Sequence, residues 1–288
     1  MASTRETPTA FRQSLTKNPT LNLLTNLTLR EIRAQYKRTA LGRIWSLINP
    51  LATLAIYSIV FGILFKSAPP VGTNSGLDSF VLWMACGLIP WMFMSNSIIQ
   101  GMGALQANSG LLTKVYFPRH VLVTSSVLGL ATTFLTELTV LLAIMTVAGG
   151  PRVLLYIPIL LVVVLLNVGF VLGIALGLSV AVAYFGDIQH LWGLFNQVWF
   201  YASGVLFPLS IVAGGQATLL AHGWNIPLVK MFELNPAYQF ITAYRSVLYD
   251  FAIPSPMQWH VLVAWTGGTL LVGAWIFQRF QGRVVEEL

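Results

Sequence analysis

Six stretches of this 288-residue chain are each long and apolar enough to cross a bilayer, which takes about 20 residues of helix. They fall near residues 46–65, 79–100, 121–147, 153–181, 191–213 and 257–277. Five of them contain no Lys, Arg, Asp or Glu, and the third contains Glu137 alone. Inside lipid every backbone N–H and C=O needs an internal partner, so a spanning segment is either a helix or a strand of a closed barrel. None of the six shows the period-two alternation of a barrel strand. The chain therefore reads as an all-α integral membrane protein with six transmembrane helices. Its 56% hydrophobic and 9% charged residues exclude a soluble domain, where about 25% charged is usual.

Basic residues orient these spans. With the N-terminus inside, twelve of the sixteen Lys and Arg fall on inner segments, and Lys66, Arg152, Lys230 and Arg245 fall outside. The opposite orientation would reverse that ratio, so both termini are expected in the cytoplasm. The net charge of +7 is then mainly a topology signal, and nucleic acid is not an expected partner. No early apolar core precedes a cleavage site, which argues against a removable signal peptide. Cys86, the only cysteine, excludes an intrachain disulfide.

Residues 1–45 read as a cytoplasmic tail followed by a basic amphipathic helix. Leu29, Ile32 and Tyr36 share one helical stripe and Arg30, Arg33 and Lys37 the next. Such a helix is expected to lie along the inner headgroups. Residues 46–278 form the six-span domain and 279–288 a second cytoplasmic tail. Within it the inner loop 101–120 has helical character with a break at Gly110, and Tyr184–Ile188 makes a tight inner turn. The outer segment 210–256 is long and largely uncharged, and it fits short half-inserted helices between spans five and six. There Asn235-Pro236 marks a helix start, with Asn as cap and Pro in the first position. Phe240, Tyr244 and Val247 follow at helical spacing.

Catalytic chemistry finds no support. The four histidines are scattered without ligand spacing, no paired-carboxylate motif exists, and no Gly-rich loop ends in Gly-Lys-Ser/Thr. No cofactor or metal is expected on this chain. Three features carry candidate functions. Tyr57, Phe61 and Phe65 recur along one face of the first span. In the fifth, Trp192, Phe195 and Trp199 form one stripe and Asn196, Phe200, Ser203 and Phe207 another. Aromatic faces beside small polar groups make a sliding surface for sugar rings, although on composition alone ordinary packing and the interfacial aromatic belt are the stronger account. Lys37, Arg38 and Arg43 sit where a lipid pyrophosphate would meet the inner leaflet, and the positive-inside rule explains them as well. Glu137 would cost about 2.5–3.5 kcal/mol if charged at mid-membrane. It should be neutral, paired or facing a wet cavity, with Thr133 and Asn167 as nearby polar groups.

Leu29-Arg30-Glu31-Ile32-Arg33, Tyr36-Lys37-Arg38-Thr39-Ala40-Leu41-Gly42 and Trp45-Ser46-Leu47-Ile48-Asn49-Pro50 resemble the opening blocks of the membrane-spanning subunit of ABC-2-type polysaccharide exporters. That family comprises the O-antigen, capsule and teichoic acid permeases. The likeness recurs from Asn108 to Pro118, at Phe185–Ile188, and at Asn235-Pro236 with Tyr244-Arg245. Gly186 departs from it, since the family often has Arg before the Asp. The resemblance implies a homodimer joined to two copies of an ATP-binding cassette subunit, which would hold ATP and Mg. Arg30, Arg33, Leu111, Lys114, Tyr116, Phe117 and Asp187 would couple to that subunit. The first and fifth spans would line the path of a polyprenyl-pyrophosphate-linked glycan, of O-antigen or cell-wall galactan type, out through the plasma (inner) membrane. An ion-coupled flippase would usually show paired intramembrane charges, and a polyprenyl-phosphosugar transferase an acidic cluster at the membrane face.

Overall fold

The computed structural model describes residues 19–35, 42–65, 69–112 and 118–282. Lys37, Arg38, Lys114, Tyr116, Phe117 and the side chain of Arg43 lie outside the described residues. Helices account for all regular structure among the described residues, in the order α1 (Pro19–Gln35), α2 (Trp45–Tyr57), α3 (Phe80–Ala107), α4 (Ser109–Leu112) and α5 (His120–Gly149). There follow α6 (Ile157–Tyr184), α7 (Ile188–Ala202), α8 (Leu209–Ala221), α9 (Leu228–Leu234), α10 (Pro236–Leu248) and α11 (Pro256–Phe280). Helix α2 continues as a π-helical stretch over Ser58–Leu64, and a 3-10 turn at Pro151–Tyr156 leads into α6.

Five segments are long and apolar enough to cross a membrane: Trp45–Leu64, Phe80–Ala107, His120–Gly149, Pro151–Tyr184 and Pro256–Phe280. They coincide with five of the six stretches read from the sequence. The remaining stretch, 191–213, is not one helix. Helix α7 stops at Ala202 after 15 residues, or about 22 Å, against a hydrocarbon core of about 30 Å. Gly204 then takes φ +71°, a conformation other residues rarely adopt, and Pro208 is extended before α8. Three short helices, α8, α9 and α10, connect α7 to α11.

Helix α3 is the centre of the fold, packed between α5 and α6, with α10 against its outer half. It has no charged side chain, and buried residues lie on all its faces. Without a hydrophobic force between helices in lipid, close approach relies on small residues. At the α6–α11 contact a Cβ on Gly273 would overlap the Gly173 carbonyl, and one on Gly173 would meet the α11 backbone. The Thr266 hydroxyl donates to the Leu166 carbonyl at 3.1 Å across the same seam. Helix α2 stands at the edge, with Pro50 inside it and most of its surface uncovered.

Helix α1 packs lengthwise against α5, burying Leu27 with Leu23 and Leu24 beside it, while Leu29 and Ile32 stay half-exposed. The inner loop breaks at Asn108 rather than Gly110. The Asn108 amide donates to the Ala104 carbonyl at 2.9 Å, and its own carbonyl accepts from Leu111 and Leu112.

Candidate functional site

The aromatic stripes of α2 and α7 meet. The Tyr57 and Phe200 ring centroids lie 5.8 Å apart, joining Tyr57, Phe61 and Phe65 to the α7 set. On α7, Trp192 packs on Phe195 at 5.2 Å and Phe195 on Trp199 at 5.7 Å. Trp91 of α3 ties the two stripes together, 5.3 Å from Trp199 edge-on and 5.6 Å from Phe200. Nothing in the sequence marks Trp91 out, because no periodic aromatic stripe on α3 contains it.

The rings differ in access. Phe195 is 50% exposed and Phe65 66%, whereas Trp199 is 7% exposed; Tyr57, Phe61, Trp192 and Phe200 lie between. Trp199 belongs to the core of the protomer, its indole N–H donating to Asn235 Oδ1 at 2.8 Å. Asn196 donates to the Ser95 hydroxyl at 2.8 Å. Its Oδ1 and the Trp192 Nε1 are buried without partners among the described residues. Beside the rings, Ile56, Ile59 and Ile63 of α2 and Leu191, Leu194 and Val198 of α7 are exposed. The combined surface is broad, apolar and aromatic, with single amide groups set into it.

The outer end of this surface is held by two residues. Asn235 caps α10 as read from the sequence, accepting from the Ala237 amide at 3.0 Å while donating to the Ala202 carbonyl at 2.8 Å. It thus locks the end of α7 to the start of α10. Arg245, read from the sequence as an outer charge and as part of the family likeness, is 6% exposed. Its guanidinium donates to the carbonyls of Gly204 and Val205, both at 2.8 Å, and lies 3.5 Å from the Trp83 ring centroid. These carbonyls are the ones freed where α7 breaks. Asp250 accepts from the Thr73 amide at 3.3 Å, and burial pushes its carboxyl above the ordinary range.

At the inner end, Arg30 donates to Asn108 Oδ1 at 2.6 Å and pairs with Glu31 at 2.9 Å, joining α1 to the end of α3. Leu111 in α4 is half-buried beside this contact, and Arg33 and Asp187 are exposed. Gln189 in the first turn of α7 lines the same hollow of about 450 Å³ as Glu31 and Asn108. Arg30, Leu111 and the start of α7 thus share one corner.

Glu137 faces a separate cavity that also touches Thr133. Asn167 is not its partner, since that amide donates to the Tyr244 hydroxyl at 3.2 Å in the core. Among the described residues no group of three or more metal-ligating side chains assembles.

A family model described as ABC-2 type transporter matches residues 22–249. The chain is 29% identical over 266 residues to the O-antigen export system permease protein RfbA of Myxococcus xanthus, covering 92% of this chain and 95% of that protein. It is 23% identical to a Klebsiella pneumoniae protein of the same name, over 93% and 95% of the two chains. To the polysialic acid transport protein KpsM of Escherichia coli it is 27% identical, over 73% of this chain and 78% of that one.

Proposed function

Since the chain belongs to the ABC-2 type transporter family, we propose that it is the permease subunit of an ATP-driven polysaccharide exporter. Its cargo is a polyprenyl-pyrophosphate-linked glycan of O-antigen or galactan type, moved from the cytoplasm across the inner membrane. The observation that carries this reading is the near full-length similarity to permeases named for O-antigen export. The joined aromatic surface of α2 and α7 supports it, because sugar C–H faces slide on such rings without tight hydrogen-bond traps. In this account two protomers face each other across that surface. Ring exposure supports Tyr57, Phe61, Phe195 and Phe200 as its contact residues, with Trp192, Asn196 and Trp199 backing the wall. Lys37, Arg38 and Arg43 gate the lipid headgroup by charge.

ATP hydrolysis, with its Mg, is assigned to two copies of a separate ATP-binding cassette subunit. The corner of Arg30, Arg33, Leu111 and Asp187, with Lys114, Tyr116 and Phe117 of the adjoining loop, receives its movement. Co-expression with the candidate ATPase tests this. The purified complex should hydrolyse ATP and the chain alone should not. Exchanging Arg30 for Ala should lower coupled hydrolysis while the chain stays in the membrane. ATP hydrolysis by this polypeptide without a partner would overturn the assignment.

A further inference from the structure

The cavity at Glu137 has a volume of about 290 Å³ and lies where the end of α1, the start of α2 and the middles of α3 and α5 converge. Its polar wall is Gln35, Asn49, Asn96, Gln100, Thr133 and Glu137. Phe93 and Phe134 also line it, stacked with centroids 4.5 Å apart and planes 11° from parallel. Asn96 and Glu137 each sit more than ten residues inside the ends of their helices. Polar groups at such depth are expensive and mark binding sites or pathways. Thr133 donates to Gln35 at 3.1 Å, but neither a hydrogen bond nor an ion pair reaches the Glu137 carboxyl among the described residues.

The lining selects a ligand class. Among the described residues it holds one acid and no cation. Its amides offer donors and acceptors together, and the carboxylate two more acceptor oxygens. A metal ion would leave the amide N–H groups and the aromatic wall without a role, since hard cations take oxygen alone. Vicinal hydroxyls over an apolar ring face use all three features. The volume lies near the lower bound for small-molecule sites, roughly 300 Å³, which suits a short saccharide rather than a chain. Gln35 and Asn49 also flank in sequence the basic stretch assigned above to the lipid headgroup.

We propose that this cavity binds a neutral sugar unit of the lipid-linked cargo before passage, with Glu137 and the neighbouring amides accepting and donating to its hydroxyls. The inference rests on the export reading. A photoreactive amino acid placed at Met92, on the cavity wall, and at lipid-facing Leu165, 70% exposed, tests it in cells carrying the full transporter. Illumination should attach saccharide at Met92 and not at Leu165. Glu137→Ala or Gln100→Ala should reduce the saccharide adduct about tenfold, the effect of losing a hydrogen bond to a charged or polar partner. Membrane-inserted protein measured in the same cells separates this from misfolding. A Met92 adduct carrying only phospholipid, no adduct, or a saccharide adduct unchanged in both variants would overturn the proposal. Normal surface glycan after removal of this chain would instead sink the export reading itself.

Discussion

At the scale of single residues, Arg245 shows how one side chain settles a backbone break. A guanidinium can serve two diverging carbonyls at once, whereas an ammonium is a point donor. Each buried carbonyl left unpaired costs about 1–3 kcal/mol. Arg245→Lys should therefore lower the thermal unfolding midpoint of the purified protein nearly as far as Arg245→Ala. A lysine variant as stable as the parent would show that charge alone suffices. Trp199 and Phe195 make the second residue-scale contrast. Trp199→Ala should reduce folded protein, since emptying a core Trp site costs about 3–5 kcal/mol. Phe195→Ala should leave protein levels intact and lower export, measured as surface glycan per inserted permease. Equal loss of protein in both variants would return Phe195 to a packing role. The indole bond to Asn235 could not be read from the sequence, because the two residues lie 36 positions apart. Periodicity shows which side chains share a face but not whether that face is covered.

At the scale of elements, long apolar helices were legible because lipid permits few alternatives to a helix. The cap at Asn235-Pro236 was legible because it is local chemistry. The end of α7 was not, since the stretch 191–213 is apolar throughout and its break depends on Arg245 some 40 residues on. Helix α1 likewise packs on α5 by residues that the sequence did not single out. Its burying stripe is Leu23 and Leu27, one turn apart and earlier than the Leu29–Ile32 row that stands beside the basic residues. The α6–α11 seam carries its own expectation. Gly273→Ala should force the two backbones apart, at about 1–3 kcal/mol for overpacking, and reduce detergent-stable protein. Gly268→Ala on the same helix meets nothing within 4 Å and should be neutral. Equal behaviour of the two variants would contradict the described contact.

At the scale of the whole molecule, the account joins three levels. In the proposed reading an inner corner would receive movement, an aromatic surface between protomers would carry the glycan, and a clamp of Asn235 and Arg245 would hold its outer end. The proposed orientation rests on the twelve-to-four division of basic residues. In a Cys86→Ala background, cysteines at Val71 and Met257 should react with an impermeant thiol reagent on intact cells. One at Phe185 should not. All three sites are exposed on the protomer, so labelling of Phe185 alone would invert the topology. The most direct test of the central claim is a pulse-chase of labelled glycan in cells depleted of this chain. The account predicts that lipid-linked glycan accumulates on the cytoplasmic side and surface glycan fails to appear until the chain is restored. Delivery of labelled glycan to the surface at the normal rate, with no precursor accumulating, would contradict it.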